Sequence, residues 1–320
     1  MRAVVITRRG GPEVLRVEER PEPLPGSGEV VVDVRAAGVN VADALTRVGL
    51  YPDAPRLPAV VGYEVAGVIA LGTERIIAPT RFGGYAEQVA VRKAELLPLP
   101  SHLSFVQGAA IVVAYSTAWT ALVRCANLQP GERVLVHAAA GSVGLAAVQL
   151  AKLLDAYVIG TCSSWKRDAV LAHGADEVYD YRHIGCAAVD VVMDGVGGVM
   201  TRDSYRRLRA GGRLVTYGAS ALLTGDRRRP LRVAPHAASM IRGFNGMRLI
   251  ADSRSVIGLN MLRLADQSGS LQPYLDPLRG WLADGTLRPV VAAEFPFDRA
   301  AEAHRMLGER TNVGKVVLVP

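Results

Sequence analysis

Along the first hundred residues the apolar positions come in short, β-branched runs: Ala3–Thr7, Glu29–Ala36 and Ala66–Leu71. Proline-rich punctuation at 21–26 and 52–58 separates them, and Pro98 and Pro100 close the region. Short strands divided by turn residues predict a small barrel or sandwich. Ser104–Val123 then turns helical. From residue 132 the rhythm becomes strand, helix, strand. Arg133–His137, Tyr157–Thr161, Val189–Asp194 and Arg213–Tyr217 read as strands, and Leu145–Leu154, Lys166–His173 and Thr201–Arg209 as helices. This alternation is that of a doubly wound parallel sheet. A strand at Val256–Asn260, helices near 271–284 and 298–309, and a last strand Lys315–Val319 complete the chain.

The last strand matches the opening region better than the middle. The pattern therefore predicts a β-domain split around an inserted nucleotide domain, with residues 1–119 and 266–320 in the first and 120–265 in the second. A length of 320 residues fits two domains, and an apolar content of 50% fills two cores. The net charge of +7 would suit an anionic ligand, yet the basic residues are scattered, and the run Arg227–Arg229 reads as well as a solvated loop as a phosphate track. No nucleic-acid partner is expected. Three cysteines without a C-x-x-C pair indicate neither a disulfide framework nor a zinc lobe. The six histidines show no metal spacing. The N-terminal apolar run is too short for a signal peptide, and the apolar stretch 105–123 reads as a buried helix, so a cytoplasmic protein without a membrane partner is expected.

The sharpest local feature is Val134–Leu145. Here Ala138-Ala139-Ala140-Gly141-Ser142-Val143-Gly144 follows a strand and opens a helix. Small residues let the backbone approach a pyrophosphate, and a helix N-terminus offers N–H groups with a partial positive charge. The pattern is a variant of the dinucleotide fingerprint, with Ala140, Gly141, Ser142, Val143 and Gly144 as the cradle. A tight turn without a ligand is the other reading. At the end of the next strand, where an NAD site usually carries a carboxylate, the chain reads Cys162-Ser163-Ser164-Trp165-Lys166, and the next acid is Asp168. Hydroxyls at Ser163 and Ser164 with Lys166 favour a 2′-phosphate, hence NADPH; alternatively Ser164 caps a helix and Lys166 is solvated.

The segment His137–Leu150 resembles the cofactor segment of zinc-independent medium-chain dehydrogenases/reductases. That group includes quinone oxidoreductases, vesicle amine transport protein homologues and enoylreductase domains. Ala37-Gly38-Val39-Asn40-Val41-Ala42-Asp43, Gly49-Leu50-Tyr51-Pro52, Gly83–Glu87, Ser116–Ala118 and Asn312–Leu318 carry the resemblance through most of the chain. It implies a GroES-like barrel with a Rossmann domain, dimeric through the strand at 256–260. It implies that Lys166, Tyr181 and Arg310 meet the 2′-phosphate and adenosine. Thr117 and Asn40 would lie beside the nicotinamide and substrate, with Leu259 and Asn260 presenting backbone along the nicotinamide.

Zinc-dependent relatives place Cys where this chain has Asn40 and His where it has Tyr63. Those residue types assemble no catalytic zinc. Glu64 then reads as a structural carboxylate, and Leu71–Pro79 is shorter than its family counterpart. Without a metal or a Tyr-x-x-x-Lys pair, carbonyl reduction lacks an acid, whereas hydride addition to a conjugated C=C needs only stabilisation of enolate charge. The expected activity is reduction of an enone, quinone or enoyl thioester, with Asn40 donating to the carbonyl and Tyr51 orienting it or supplying a proton. Asn40 as a barrel-closing amide and Tyr51 as a cleft wall are the plainer readings. A catalytically idle NADPH-binding partner of the same fold is the alternative from another class.

Overall fold

The computed structural model describes residues 1–223, 234–236 and 244–320; the Arg227–Arg229 run lies outside the described residues. Two compact units divide the chain. One comprises Met1–Ser116 and Leu262–Pro320, and the other holds the described residues between Thr117 and Met261.

In the first unit, β1 (Arg2–Ile6) pairs antiparallel with β2 (Leu15–Glu19) and with β4 (Ala59–Val60). A larger sheet is organised around β3 (Glu29–Val39), which pairs β5 (Glu64–Ile69) and β7 (Gln88–Arg92). β6 (Arg75–Pro79) joins β5 to β8 (Leu97–Pro98). β15 (Val291–Pro296) and β16 (Lys315–Val319) extend the other side, with β16 antiparallel to β3 at Val39, Gly38 and Ala37. The chain's last strand thus completes the sheet its first third begins. Val4, Ile6, Val32, Val65, Tyr85, Phe297 and Leu318 form one buried cluster that draws on both ends of the sequence. The prolines isolate the β-branched runs because proline donates no ladder hydrogen bond. The segment 71–79 still builds β6 after a turn at Leu71, whose φ is 62°.

The second unit carries one parallel sheet. Its strands are β9 (Arg133–Val136), β10 (Tyr157–Cys162), β11 (Glu177–Asp180), β12 (Val189–Asp194), β13 (Leu208–Thr216) and β14 (Ser255–Gly258). They lie in the order β11–β10–β9–β12–β13–β14. Every residue of β12 is buried, as a central parallel strand covered on both faces should be. This is the doubly wound sheet that the 132–217 rhythm predicts.

Ser104 and Gln107 close a reciprocal cap: Gln107 N–H donates to Ser104 Oγ at 3.2 Å and Ser104 N–H to Gln107 Oε1 at 2.9 Å. The helical stretch Phe105–Cys125 is long and apolar enough to cross a membrane by length and composition, and 72% of its apolar window is buried within the fold. Its last turns, Thr120–Cys125, widen to π geometry.

Candidate active site

In the second unit the site is built on the turn after β9. Ala138 takes a φ of 50°, a left-handed conformation that costs a residue with a Cβ about 1–2 kcal/mol. Ala139 N–H donates to Thr161 O of β10 and Gly141 N–H to Ala138 O, each at 2.9 Å. The helix Ser142–Leu153 begins with Gly141 as its N-cap and no side chain caps it. A helix's first N–H groups lack intrahelical acceptors, so this end is left open for a ligand. Gly144 is required here: a Cβ would stand 2.4 Å from Ala138 O and 2.7 Å from Ala139 Cα. The helix can therefore lie close on the strand only without a side chain at 144. Ala140, Gly141, Ser142, Val143 and Gly144 lie on this turn and the first turn of the helix.

His137, fully buried, stabilises the turn from beneath. Its ring nitrogens lie 2.9 Å from Thr161 Oγ1 and 3.0 Å from Ser204 Oγ. Ser204 donates to Met200 O, which leaves its hydroxyl oxygen to accept from Nε2–H. Burial pushes the imidazole pKa down and keeps the ring neutral.

At the end of β10, Ser163 caps the short turn Ser164–Lys166, and Lys166 Nζ lies 4.9 Å from the Trp165 ring centroid. Lys166 is buried. Tyr181 is half exposed, with the Arg182 guanidinium 5.7 Å from its ring centre. One group here escaped the sequence reading. Asp180, opposite Cys162 in the parallel register, accepts from Ser164 Oγ at 2.6 Å. Hydrogen bonds from Arg182 and Ser164 hold its carboxyl below the usual range. The parallel pairing of two strand ends is the signal that would have found it. Thr117 and Leu259 are buried, and Leu259 N–H donates to Thr216 O at 2.9 Å.

In the first unit, Asn40 ends β3 and is the N-cap of the helix Val41–Val48. Its amide is fully engaged. Nδ2 donates to Glu64 Oε1 at 3.1 Å and to Gly38 O at 3.3 Å, and Oδ1 accepts from Lys315 Nζ at 2.7 Å. Lys315 also pairs with Glu64, both side chains having zero exposure, and Val113 N–H donates to Glu64 Oε2 at 2.8 Å. A Cβ on Gly38 would stand 2.5 Å from Glu64 Oε1 and 2.6 Å from Lys315 Cε, so the cluster needs glycine there. Asp43 is equally buried and accepts from Asn40 N–H, Gly62 N–H and Tyr85 Oη at 2.8, 2.9 and 3.0 Å. Burial lifts its pKa to about 7 despite these donors. The sequence reading gave Lys315 no role. A lone lysine inside Asn312-Val313-Gly314-Lys315-Val316-Val317 was the signal, because a lysine in an apolar strand is buried only with a partner.

Tyr51 follows the helix and meets Tyr63 edge-on with ring centres 6.0 Å apart; Tyr63 in turn meets Phe82 at 5.6 Å. Burial raises the Tyr51 phenol to about 12, so it is protonated at neutral pH. Arg310 caps the helix Ala300–Glu309 in a left-handed conformation. Asn40 Oδ1 holds the Lys315 ammonium. Among the described residues no group of three or more His, Cys, Asp or Glu could hold a metal ion.

Comparison with known proteins shows the family and the fold. The model of a zinc-binding dehydrogenase family matches residues 173–318, and that of the alcohol dehydrogenase GroES-like domain matches 26–101. The human synaptic vesicle membrane protein VAT-1 homolog is 35% identical, covering 100% of this chain and 86% of that protein. The quinone oxidoreductase from Thermus thermophilus, whose structures include a complex with NADPH, is 37% identical over 100% of both chains, with a TM-score of 0.85. The Escherichia coli quinone oxidoreductase, solved with NADPH, is 29% identical over 100% of both chains, with a TM-score of 0.86. The chain, with its GroES-like unit and its doubly wound parallel sheet, belongs to the medium-chain dehydrogenase/reductase family, alongside the quinone oxidoreductases and VAT-1 homologues.

Proposed function

We propose that this chain is an NADPH-dependent oxidoreductase that transfers hydride to an activated C=C in an enone, quinone or enoyl thioester, without zinc. The observation that carries the reading is the uncapped helix at Gly141–Gly144, packed so closely that position 144 excludes a Cβ. NADPH complexes of the two quinone oxidoreductases support the same cofactor. Residues 120–265 would hold the dinucleotide, and residues 1–119 with 266–320 the substrate.

When bound, the nicotinamide supplies the hydride. The backbone of Ala140–Gly144 holds the pyrophosphate. Ser163, Ser164, Lys166 and Tyr181 would receive the adenosine and its 2′-phosphate. Asp180 is a poor rival for a ribose hydroxyl, because Arg182 and Ser164 already occupy it. Thr117 and the backbone of Leu259 and Asn260 orient the nicotinamide ring. Tyr51, protonated at neutral pH, orients the substrate carbonyl and can donate a proton. Asn40 serves as a carbonyl donor by releasing Gly38 O, the longer of its two Nδ2 bonds. Lys315 and Glu64 meanwhile keep the amide in place. β14 is a sheet edge with Val256 and Ile257 partly exposed, which supports a homodimer through that strand.

The test is turnover of a simple enone with deuteride-labelled NADPH. Deuterium on the β-carbon is expected. Deuterium on the carbonyl carbon, giving an allylic alcohol, would overturn the reading. Tight NADPH binding with no turnover on any enone or quinone would favour a binding protein instead.

A further inference from the structure

A cavity of about 520 Å³ opens beside Tyr51 in the first unit, a size within the range of small-molecule sites. Its walls include Arg9, Thr46, Tyr51 and Arg56, with Pro52, Pro55 and Leu57 as the apolar part. Gly49 leaves room for the first arginine. This residue ends the helix Val41–Val48 at a φ of 74°, and a Cβ there would stand 2.4 Å from Arg9 Cδ and 2.7 Å from its Nε. The Arg9 side chain therefore lies across the helix end.

Both arginines on this cavity are exposed, while the Tyr51 phenol pKa, raised by burial, is raised further by Asp53 and Asp43 close by. The segment Leu50–Pro58 has one acidic residue, Asp53, and Arg263 takes it with a 2.7 Å ion pair. Among the described residues no carboxylate pairs with Arg9 or Arg56. The Thr46 hydroxyl, on a residue 2% exposed, has the Tyr63 phenol beside it. Two guanidiniums without an ion-pair partner and a phenol kept protonated line one cavity and offer donors. A charged acceptor satisfies such a set, and planar guanidinium forks match carboxylate and phosphate oxygens.

We propose that this cavity binds an anionic group, a carboxylate or a phosphate, carried by the substrate, with Arg9 and Arg56 as its ligands. The inference rests on reading Tyr51 as part of the substrate site. The reducible carbonyl would lie toward Tyr51 and the anionic end toward the two arginines. The preferred substrates would then be conjugated carbonyl compounds with a negatively charged tail, rather than neutral enones.

Two readouts keep this separate from the reductase reading. In the first, 6-oxohept-4-enoate and its methyl ester are compared as substrates of the wild-type protein and of an Arg9→Gln/Arg56→Gln variant. The acid should show a KM lower by about tenfold or more, the scale of one hydrogen bond to a charged group. The variant should erase that preference and leave ester turnover unchanged. In the second, calorimetric titration with the saturated 6-oxoheptanoate, which requires no turnover, should give the same wild-type preference and the same loss. Inorganic phosphate should compete with 6-oxoheptanoate if the pocket accepts either anion, and its failure to compete would restrict the site to carboxylates. Absence of turnover with binding intact would sink the reductase reading alone. Equal binding of acid and ester, or an acid preference that survives in the double variant, would overturn the anion site.

Discussion

Two polar clusters, one in each unit, are built in opposite ways. At Asn40, Glu64 and Lys315 every charge and the whole amide are satisfied by the protein itself, at zero exposure for the ion pair. At Ala138–Gly144 the backbone presents an uncapped helix end and side chains too small to fill it. Satisfied polar groups make a rigid frame, and open ones make a binding site. A buried ion pair is weak evidence for net stability, but removing one partner strands the other in a low-dielectric interior.

The contrast is broken most severely at Lys315. Lys315→Met should cost about 3–5 kcal/mol in urea unfolding, because the Glu64 carboxylate loses its cation. Adding Glu64→Gln should recover much of that loss. A cost below about 1 kcal/mol, the range of exposed pairs, would mean that the pair is solvated rather than sealed.

Asn40→Ala tests whether the sealed frame also serves the chemistry. Turnover should fall about 10–1000-fold, the upper end being that of a well-placed oxyanion donor, while NADPH affinity holds. If NADPH affinity falls in step with turnover, the effect comes from disruption of the frame. In the other unit, Lys166→Ala should weaken NADPH by about 1–3 kcal/mol, the scale of a hydrogen bond to a charged group, and leave NADH nearly unchanged. Equal losses for both cofactors would remove Lys166 from the 2′-phosphate.

The smallest net effect is the pH slope of the wild-type protein, in which two groups oppose. Asp43 binds its proton up to about pH 7 in the folded chain, whereas an unfolded aspartate releases it near 3.8. Stability from this group therefore falls as pH rises between those values. His304, fully buried and with neither ring nitrogen hydrogen-bonded, is pushed by burial from 6.5 to about 3. Its contribution is lost as pH falls through that window. Each amounts to about 1.4 kcal/mol per pH unit where it acts, and the two oppose between roughly pH 4 and 6.5. Asp43→Asn should leave stability rising with pH over that range, and His304→Phe should leave it falling. Parallel slopes in the two variants would show that these groups do not set the balance.

The nucleotide half was the more legible in sequence, because its signals are local. Strand, small-residue turn and helix succeed one another within Val134–Leu145, and the period of apolar residues marks each. The frame around Asn40 was read only as motifs. Its partners are 24 and 275 residues away in the chain, and no periodicity reports which distant side chains a fold brings together. Asp180 escaped for the same reason: parallel register, not spacing, sets it beside Ser164. The helix Val41–Val48 and strands β6, β7 and β15 were missed because short elements with mixed polarity carry little periodic signal.

The pairing of β16 with β3 also bears on how the protein is made. A ribosome releases Glu64 long before Lys315, at roughly 5–20 residues per second. The parallel sheet between them can form while the terminal strand is still being synthesised. Until that strand emerges, the nascent first unit lacks both the edge partner of Ala37–Val39 and the cation matched to Glu64. Its apolar cluster waits as well, since Phe297, Val316 and Leu318 arrive last. A chain stalled before Lys315 would carry a finished parallel sheet and an unfinished barrel, with a buried carboxylate still waiting for its cation.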